Sequence, residues 1–157
     1  MNYPIRKTQL HRILQTFVFL FVAYSSTAFA LEEFNTTFFG NQAIEGYDAV
    51  AYFTQGRAIE GSKDNELSWK GANWRFASAE NLAAFRANPE GFAPQFGGYC
   101  AWAVSQNDIA KIDPTQFTVY QGKLYLNYDK EVSERWRSSK DKFITAANRF
   151  WPELLKK

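Results

Sequence analysis

The chain contains a single cysteine, Cys100, so no disulfide can form within it and packing alone has to hold its fold together. Material for packing is plentiful, because aromatic residues make up 18% of the chain and include five tryptophans. Each aromatic side chain buries about 150–250 Å² when it enters a core. We therefore expect one domain with an aromatic core that needs no covalent crosslink.

Residues 1–30 have the pattern of a secretory signal peptide. Three basic residues precede an apolar stretch over residues 13–24, and the segment ends in Ala28-Phe29-Ala30, which suits a signal peptidase. The apolar stretch is shorter than the roughly 20 residues that a membrane-spanning helix needs. We predict cleavage after Ala30 and a secreted or periplasmic mature protein without an integral membrane span; an uncleaved N-terminal anchor is the alternative.

Charge and histidine content narrow the function classes of the mature part. The whole chain has 18 basic and 16 acidic residues; without the three basic residues of the leader, 15 basic residues remain against 16 acidic ones, a net charge of −1. This balance gives no electrostatic reason to expect a nucleic-acid partner. The one histidine, His11, lies in the leader. The mature part therefore has no imidazole for general base catalysis, for metal ligation or for a Ser-His-Asp triad.

The remaining chain divides into three parts. Residues 31–45 show no clear periodicity and are expected to form a poorly ordered lead-in. A single domain is predicted over residues 46–152, a length typical of one domain. Residues 153–157 are predicted to be a charged tail beyond Pro152, which should close the structured region.

Local patterns predict an α+β fold with two short β-hairpins. One hairpin is expected around Lys70-Gly71-Ala72 and the other around Gln121-Gly122, each with glycine in the turn. The apolar run at residues 49–53 is predicted to be a buried strand, and residues 61–65 a turn. The period of the stretch at residues 99–106 leaves its type open.

Helices are predicted after each hairpin. Ser78 is a good N-cap for a helix that continues through Phe85 and ends at Asn88-Pro89. Residues 129–150 have a helical pattern of apolar positions, with a break at Ser138-Ser139. The expected domain is therefore two hairpins, a capped helix after the first, and C-terminal helices.

Several motifs together resemble the exported YHS domain-containing (seleno)proteins, and the resemblance covers most of residues 46–152. They are Gly-Tyr-Asp-Ala-Val-Ala-Tyr-Phe at residues 46–53, Trp-Arg-Phe-Ala-Ser at 74–78, Phe-Gly-Gly-Tyr-Cys-Ala at 96–101 and Gly-Lys-Leu-Tyr-Leu-Asn-Tyr at 122–128. The resemblance implies a compact α+β domain outside the cytoplasm, in a family whose biochemical role is poorly defined. It also implies that Cys100, which matches a selenocysteine position of some relatives, is used for its reactivity. The cysteines that bind metal in the broader class correspond to Ala77 and Asn81, so a cysteine-cluster metal site is not expected.

Cys100 is the first candidate site residue, and two interpretations of it stay open. Near the start of a helix, its thiol would have a lowered pKa and could act as a ligand to a soft metal such as Cu(I), or as a redox group with an external thiol partner. Gly97, Gly98 and Tyr99 would then shape access to it, and a disulfide-linked dimer is conceivable. In the alternative, Cys100 is a small buried residue packed beside Trp102 and other apolar neighbours. An exposed Trp102 would instead line a ligand pocket.

Asp48 is the second candidate, with Tyr47 beside it. Its carboxylate could bind a hard metal ion or support the Cys100 site, although capping a turn is the more common role of an aspartate at such a position. We predict an exported module that binds a soft metal or takes part in thiol redox chemistry, rather than an enzyme; any catalysis would be single-cysteine redox chemistry. The alternative is a non-catalytic interaction or structural domain, and the oligomeric state stays open.

Overall fold

The computed structural model describes residues 31–157, so the predicted signal peptide lies outside the described residues. This part of the chain has a mixed α+β fold with two antiparallel hairpins and six helices, as predicted for the fold class. In chain order the elements are α1 (Ala51–Thr54), β1 (Ser62–Trp69), β2 (Ala72–Phe76), α2 (Ala79–Ala87), α3 (Pro89–Phe92), α4 (Ala101–Ser105), β3 (Asp113–Tyr120), β4 (Lys123–Asn127), α5 (Lys130–Arg137) and α6 (Lys140–Leu154).

Both predicted hairpins are confirmed. β1 pairs with β2 around Lys70-Gly71, and β3 pairs with β4 around Gln121-Gly122. Both turn residues of each hairpin have positive φ, at 46° and 78° in the first turn and at 50° and 70° in the second. Two-residue turns of this kind match the right-handed twist of the strands, which explains the glycine in each. Residues 61–65 are not the predicted turn, because β1 already begins at Ser62 and reaches its regular register after a bulge.

Side-chain N-caps begin two of the helices, as predicted for Ser78. The Ser78 side chain accepts a hydrogen bond from the Asn81 backbone N–H and begins α2, and Asp129 does the same for α5 through the Val132 N–H. The predicted break at Ser138-Ser139 separates α5 from α6. α6 does not stop at Pro152 but continues to Leu154, whose side chain is buried, so packing extends the structured region beyond the expected boundary.

The run at residues 49–53 is not a strand. α1 starts within it, because the Asp48 carboxylate accepts hydrogen bonds from the backbone N–H groups of Val50 and Ala51. A short apolar run buried on all sides has no period that separates a strand from a helix. The capping carboxylate decides the conformation here.

Residues 31–43, which we call the N-terminal strap, are held against the domain instead of forming the expected poorly ordered lead-in. Phe34 is buried, and its ring packs edge-on against Trp74 at 5.1 Å between centroids. Thr36 bridges Ala43, and the Ala43 N–H donates to the Asn73 carbonyl on β2. The strap buries apolar surface that the pattern of its sequence did not reveal.

Two apolar clusters form the core. The larger one surrounds Trp74, Phe76 and Phe85 and includes Cys100, and the smaller one surrounds Trp136, Tyr125 and Val104. Outside both clusters, Phe38 and Phe39 at the tip of the strap are 93% and 85% exposed and pack edge-to-face on each other. No helix within residues 31–157 is both long and apolar enough to cross a membrane.

Candidate functional site

Cys100 lies between a 3-10 turn (Gln95–Gly98) and α4. The stretch at residues 99–106, whose type the sequence left open, thus contains a short helix. The Cys100 side chain is fully buried, and its backbone N–H donates to the Ala110 carbonyl at 3.0 Å. The Sγ atom lies 3.8 Å from Oδ1 of Asn127, to which the thiol donates a weak hydrogen bond. The thiol is thus held between the start of α4 and the end of β4.

Burial raises the pKa of the Cys100 thiol above its usual range. The backbone N–H groups of Ala103, Tyr128 and Trp102 point toward the sulfur and lower the pKa, while the charge of Asp129 raises it further. Desolvation is the largest of these effects, because a thiolate loses more hydration than a thiol on burial. Cys100 is therefore a neutral thiol at neutral pH.

Asn127 is the polar neighbour of this thiol, and it is also fully buried. Its Oδ1 accepts a hydrogen bond from the Trp102 backbone N–H at 3.3 Å, which fixes the orientation of the amide, since two donors would otherwise face each other. Its Nδ2 has no hydrogen-bond partner among the described residues. The Asn127 side chain therefore acts mainly through Oδ1, which joins β4 to the first turn of α4.

A pocket of about 380 Å³ opens above the thiol. Its walls are mostly apolar and come from α4, the loop after it, the end of β4 and α5. The lining residues are Cys100, Trp102, Ala103, Gln106, Asp108, Ala110, Tyr128 and Val132. The structure thus places Trp102 in a pocket beside Cys100, as expected if Trp102 lines a binding site.

Gly97, Gly98 and Tyr99 are not among the residues that line this pocket. The Gly97 carbonyl accepts from the Asn35 N–H, and a Cβ on Gly97 would collide with the Glu33 carbonyl. Gly98 faces Pro94, and the Tyr99 hydroxyl donates to the Glu32 carbonyl at 3.2 Å. These three residues therefore contact the N-terminal strap, Gly97 and Gly98 through their carbonyls and Tyr99 through its hydroxyl, and do not shape access to Cys100.

Asp48 is fully buried, and both of its carboxylate oxygens are engaged. Besides the two N–H groups of α1 on Oδ1, its Oδ2 accepts from the Ala77 N–H at 2.8 Å and from the Asn81 side-chain amide at 2.7 Å. This is the capping role extended to a second element. Neither Asp48 nor Tyr47 lines the pocket or bonds to Cys100; the Tyr47 hydroxyl faces Glu60 at 3.5 Å instead.

Seven residues of the site were not predicted, namely Ala103, Gln106, Asp108, Ala110, Asn127, Tyr128 and Val132. They come from α4, the loop after it, the end of β4 and α5, and no local spacing signals that they meet, because the hairpin β3–β4 and α5 have to fold onto α4 first. Within residues 31–157, no group of three or more His, Cys, Asp or Glu side chains is arranged to hold a metal ion. Comparison of the chain with family models, with curated proteins and with solved structures finds no match.

Proposed function

We propose that the protein is an exported binding module that takes up a small, largely apolar ligand in the pocket above Cys100. The observation that carries this proposal is the concave pocket of about 380 Å³, with Trp102, Tyr128 and Val132 among its walls. Pockets for small molecules are mostly apolar and have volumes of roughly 300–1,000 Å³, so this one suits a small ligand. An extracytoplasmic location follows from the signal-like residues 1–30 and from the resemblance to exported YHS domain-containing proteins.

In this proposal the Cys100 thiol is a neutral, polarizable group that lies just beneath the pocket floor. Burial raises its pKa, so the sulfur beneath the pocket is an S–H group and places no negative charge under a ligand. Asn127 holds the sulfur in place through Oδ1. The role is recognition without bond making, consistent with the lack of a histidine after residue 11.

The test is a titration of the mature protein with 1-hexanol, followed by amide and indole NMR signals. Binding should shift the Trp102 indole signal and the signals of Ala103 and Ala110 along saturable curves. Ala103→Leu should abolish the shifts by filling the pocket, and Ala83→Leu, the same change on the exposed side of α2, should leave them intact.

Ala103 is buried in the core, so a larger side chain there can also disturb the fold. Ala110→Phe is therefore a second pocket-filling variant, at a half-buried position. Either variant counts only if its spectrum shows a folded domain. Shifts that persist in a folded, filled variant, or the lack of any saturable shift in the unmodified protein, would contradict a ligand pocket at this place.

A second candidate function uses Cys100 chemically, as a ligand to a soft metal such as Cu(I) or as a redox group with an external thiol. The observation in its favour is the set of three backbone N–H groups, from Trp102, Ala103 and Tyr128, that lower the pKa of the thiol. Cys100→Ser should then abolish the activity and leave the fold intact. Retention of Cu(I) binding or of thiol exchange in that variant would exclude this candidate.

A further inference from the structure

Two neighbouring phenylalanines at the tip of the N-terminal strap project into solvent. Phe38 and Phe39 are 93% and 85% exposed. Their rings pack on each other at 4.9 Å between centroids, so they form one apolar projection. Single exposed apolar residues are ordinary on a protein surface, whereas adjoining large ones indicate an interaction surface. Neither ring lines the pocket above Cys100, so the projection is separate from the proposed ligand site.

The turn that carries the two rings is fixed by hydrogen bonds. The Thr37 hydroxyl donates to the Phe39 carbonyl at 2.7 Å, and the Thr37 N–H donates to the Gln42 carbonyl at 3.0 Å. From β2, the Asn73 side-chain amide donates to the Gly40 carbonyl at 3.0 Å. These bonds hold the backbone of the turn in one conformation. The turn therefore loses little conformational freedom when its rings enter an apolar environment.

The side chains that fix this turn are uncharged. They belong to Thr37, Asn41, Gln42 and Asn73. In the adjoining hairpin turn, the charge of Lys70 is already engaged by Glu33 at 3.1 Å and by Glu90 at 2.8 Å. Entry of the tip into an apolar layer would therefore remove two aromatic rings from water without removing the hydration of a charge at the tip. A surface without net charge is the one that this tip complements.

The size of the projection separates the candidate occupants. Two phenylalanine side chains bury at most about 300–500 Å² between them. A stable contact between two protein copies buries about 800 Å² on each partner. The tip is too small for such a contact, whereas insertion into a lipid interface needs only the rings themselves to leave water.

We propose that Phe38 and Phe39 insert into the interface of a phospholipid bilayer and dock the exported domain on a membrane surface. The lipid that fits is electrically neutral, such as phosphatidylcholine, because the tip supplies no charge for an anionic headgroup. The rings enter the boundary between headgroups and acyl chains, and the polar side chains of the turn stay among the headgroups. This inference does not depend on the pocket above Cys100 or on its ligand.

The experiment measures flotation of the mature protein with phosphatidylcholine vesicles. The unmodified protein should float in a fraction that rises with lipid concentration. Phe38→Ser/Phe39→Ser should lower the partition coefficient at least about tenfold, because two phenylalanines no longer leave water. Phe38→Ser alone should cause an intermediate loss.

The matched control is Val119→Ser, which removes another exposed apolar side chain, on β3, and should leave the partition coefficient unchanged. Both phenylalanines lie outside the core, so the double variant should keep its fold, and urea unfolding checks this. Partition into neutral vesicles that survives high salt and is lost with the two rings would support the inference.

Three results would overturn the inference. The first is no partition of the unmodified protein into phosphatidylcholine vesicles, or equal partition of the double variant. The second is partition that requires anionic phosphatidylglycerol and disappears at high salt, which would assign binding to basic side chains such as Lys140 and Lys142. The third is a dimer of the unmodified protein that the double variant does not form, detected by light scattering, which would assign the rings to a second copy of the chain.

Discussion

The side-chain amide of Asn81 donates to Oδ2 of Asp48 at 2.7 Å, across 33 residues of sequence. The Ala77 N–H donates to the same oxygen. If the resemblance to the broader YHS class holds, Ala77 and Asn81 correspond to its metal-binding cysteines. In this chain the two positions converge on a buried carboxylate, and hydrogen bonds to Asp48 join α1 to the turn between β2 and α2.

Replacing Asp48 by Asn should lower the free energy of unfolding by about 2–4 kcal/mol. The oxygen of the new amide can still accept, but its NH₂ group cannot accept from the Ala77 N–H and the Asn81 amide, which leaves these two partly buried donors unpaired beside a buried side chain. Urea unfolding followed by tryptophan fluorescence gives the value.

The control for this change is Asp129→Asn, at a half-exposed N-cap that accepts one backbone hydrogen bond. Asparagine and aspartate are nearly equal as N-caps, so the cost should stay below about 0.5 kcal/mol. Similar losses for Asp48→Asn and Asp129→Asn would mean that the hydrogen bonds to Oδ2 contribute little to stability.

Gly97→Ala should loosen the N-terminal strap. The added Cβ would collide with the Glu33 carbonyl, and the residue would also keep a φ of 59°, which L-residues rarely adopt. Gly122→Ala is the matched change, since its φ of 70° carries the same backbone strain of about 1–2 kcal/mol but no atom lies near the new Cβ.

Amide hydrogen exchange of Asn35, whose N–H donates to the Gly97 carbonyl, measures the loosening. We expect faster exchange at Asn35 in Gly97→Ala and unchanged protection there in Gly122→Ala. Equal protection in the two variants would show that the strap does not depend on close approach to Gly97.

Thiol labelling of the native protein should be at least about a hundredfold slower than labelling of the denatured chain. Cys100 is fully buried, so a reagent larger than water reaches it only when the core opens. A control thiol at an exposed position, Asp64→Cys in a Cys100→Ala background, should be labelled at once in the native state. Rapid native labelling of Cys100 would instead favour the second candidate function, in which the thiol is chemically active.

The stability of the protein should fall as the pH rises above about 8.5, the ordinary pKa of a cysteine. Burial raises the pKa of Cys100 in the folded state, so the unfolded chain loses its thiol proton at a lower pH. This ionisation lowers the free energy of the unfolded chain and leaves that of the folded chain unchanged, so the folded state becomes less stable. The contribution of the thiol to the free energy of unfolding is fully present below the pKa of the unfolded chain. It is lost as the pH rises toward the pKa of the folded state.

Urea unfolding at pH 7, 8.5 and 9.5 of the unmodified protein and of Cys100→Ala measures this effect. The decline over that range should be smaller in Cys100→Ala, because buried tyrosines such as Tyr52 ionise only above about pH 10 even when unfolded. The same decline in both proteins would assign the pH dependence to other groups.

Local chemistry made part of this fold predictable. Lys70-Gly71 and Gln121-Gly122 predict their turns because positive φ is required at residues that the sequence itself supplies. Ser78 marks the start of α2 because its side chain accepts from the Asn81 N–H, and Ser138-Ser139 marks the break between α5 and α6. The prediction of a strand at residues 49–53 is wrong, because Oδ1 of Asp48 caps the N–H groups of Val50 and Ala51. Its Oδ2 is held by Ala77 and Asn81, which lie about 30 residues further along.

The sequence by itself determined the absence of an internal disulfide, the aromatic core, the α+β class, the two hairpins and the prominence of Cys100, because composition and short-range turn and cap chemistry act within a few residues. Only the tertiary structure decided that Cys100 is buried, that Gly97 seats the strap and that Tyr128 and Val132 meet above the thiol. Burial and pocket shape depend on how β4 and α5 pack on α4, and packing between distant segments leaves no period in the chain.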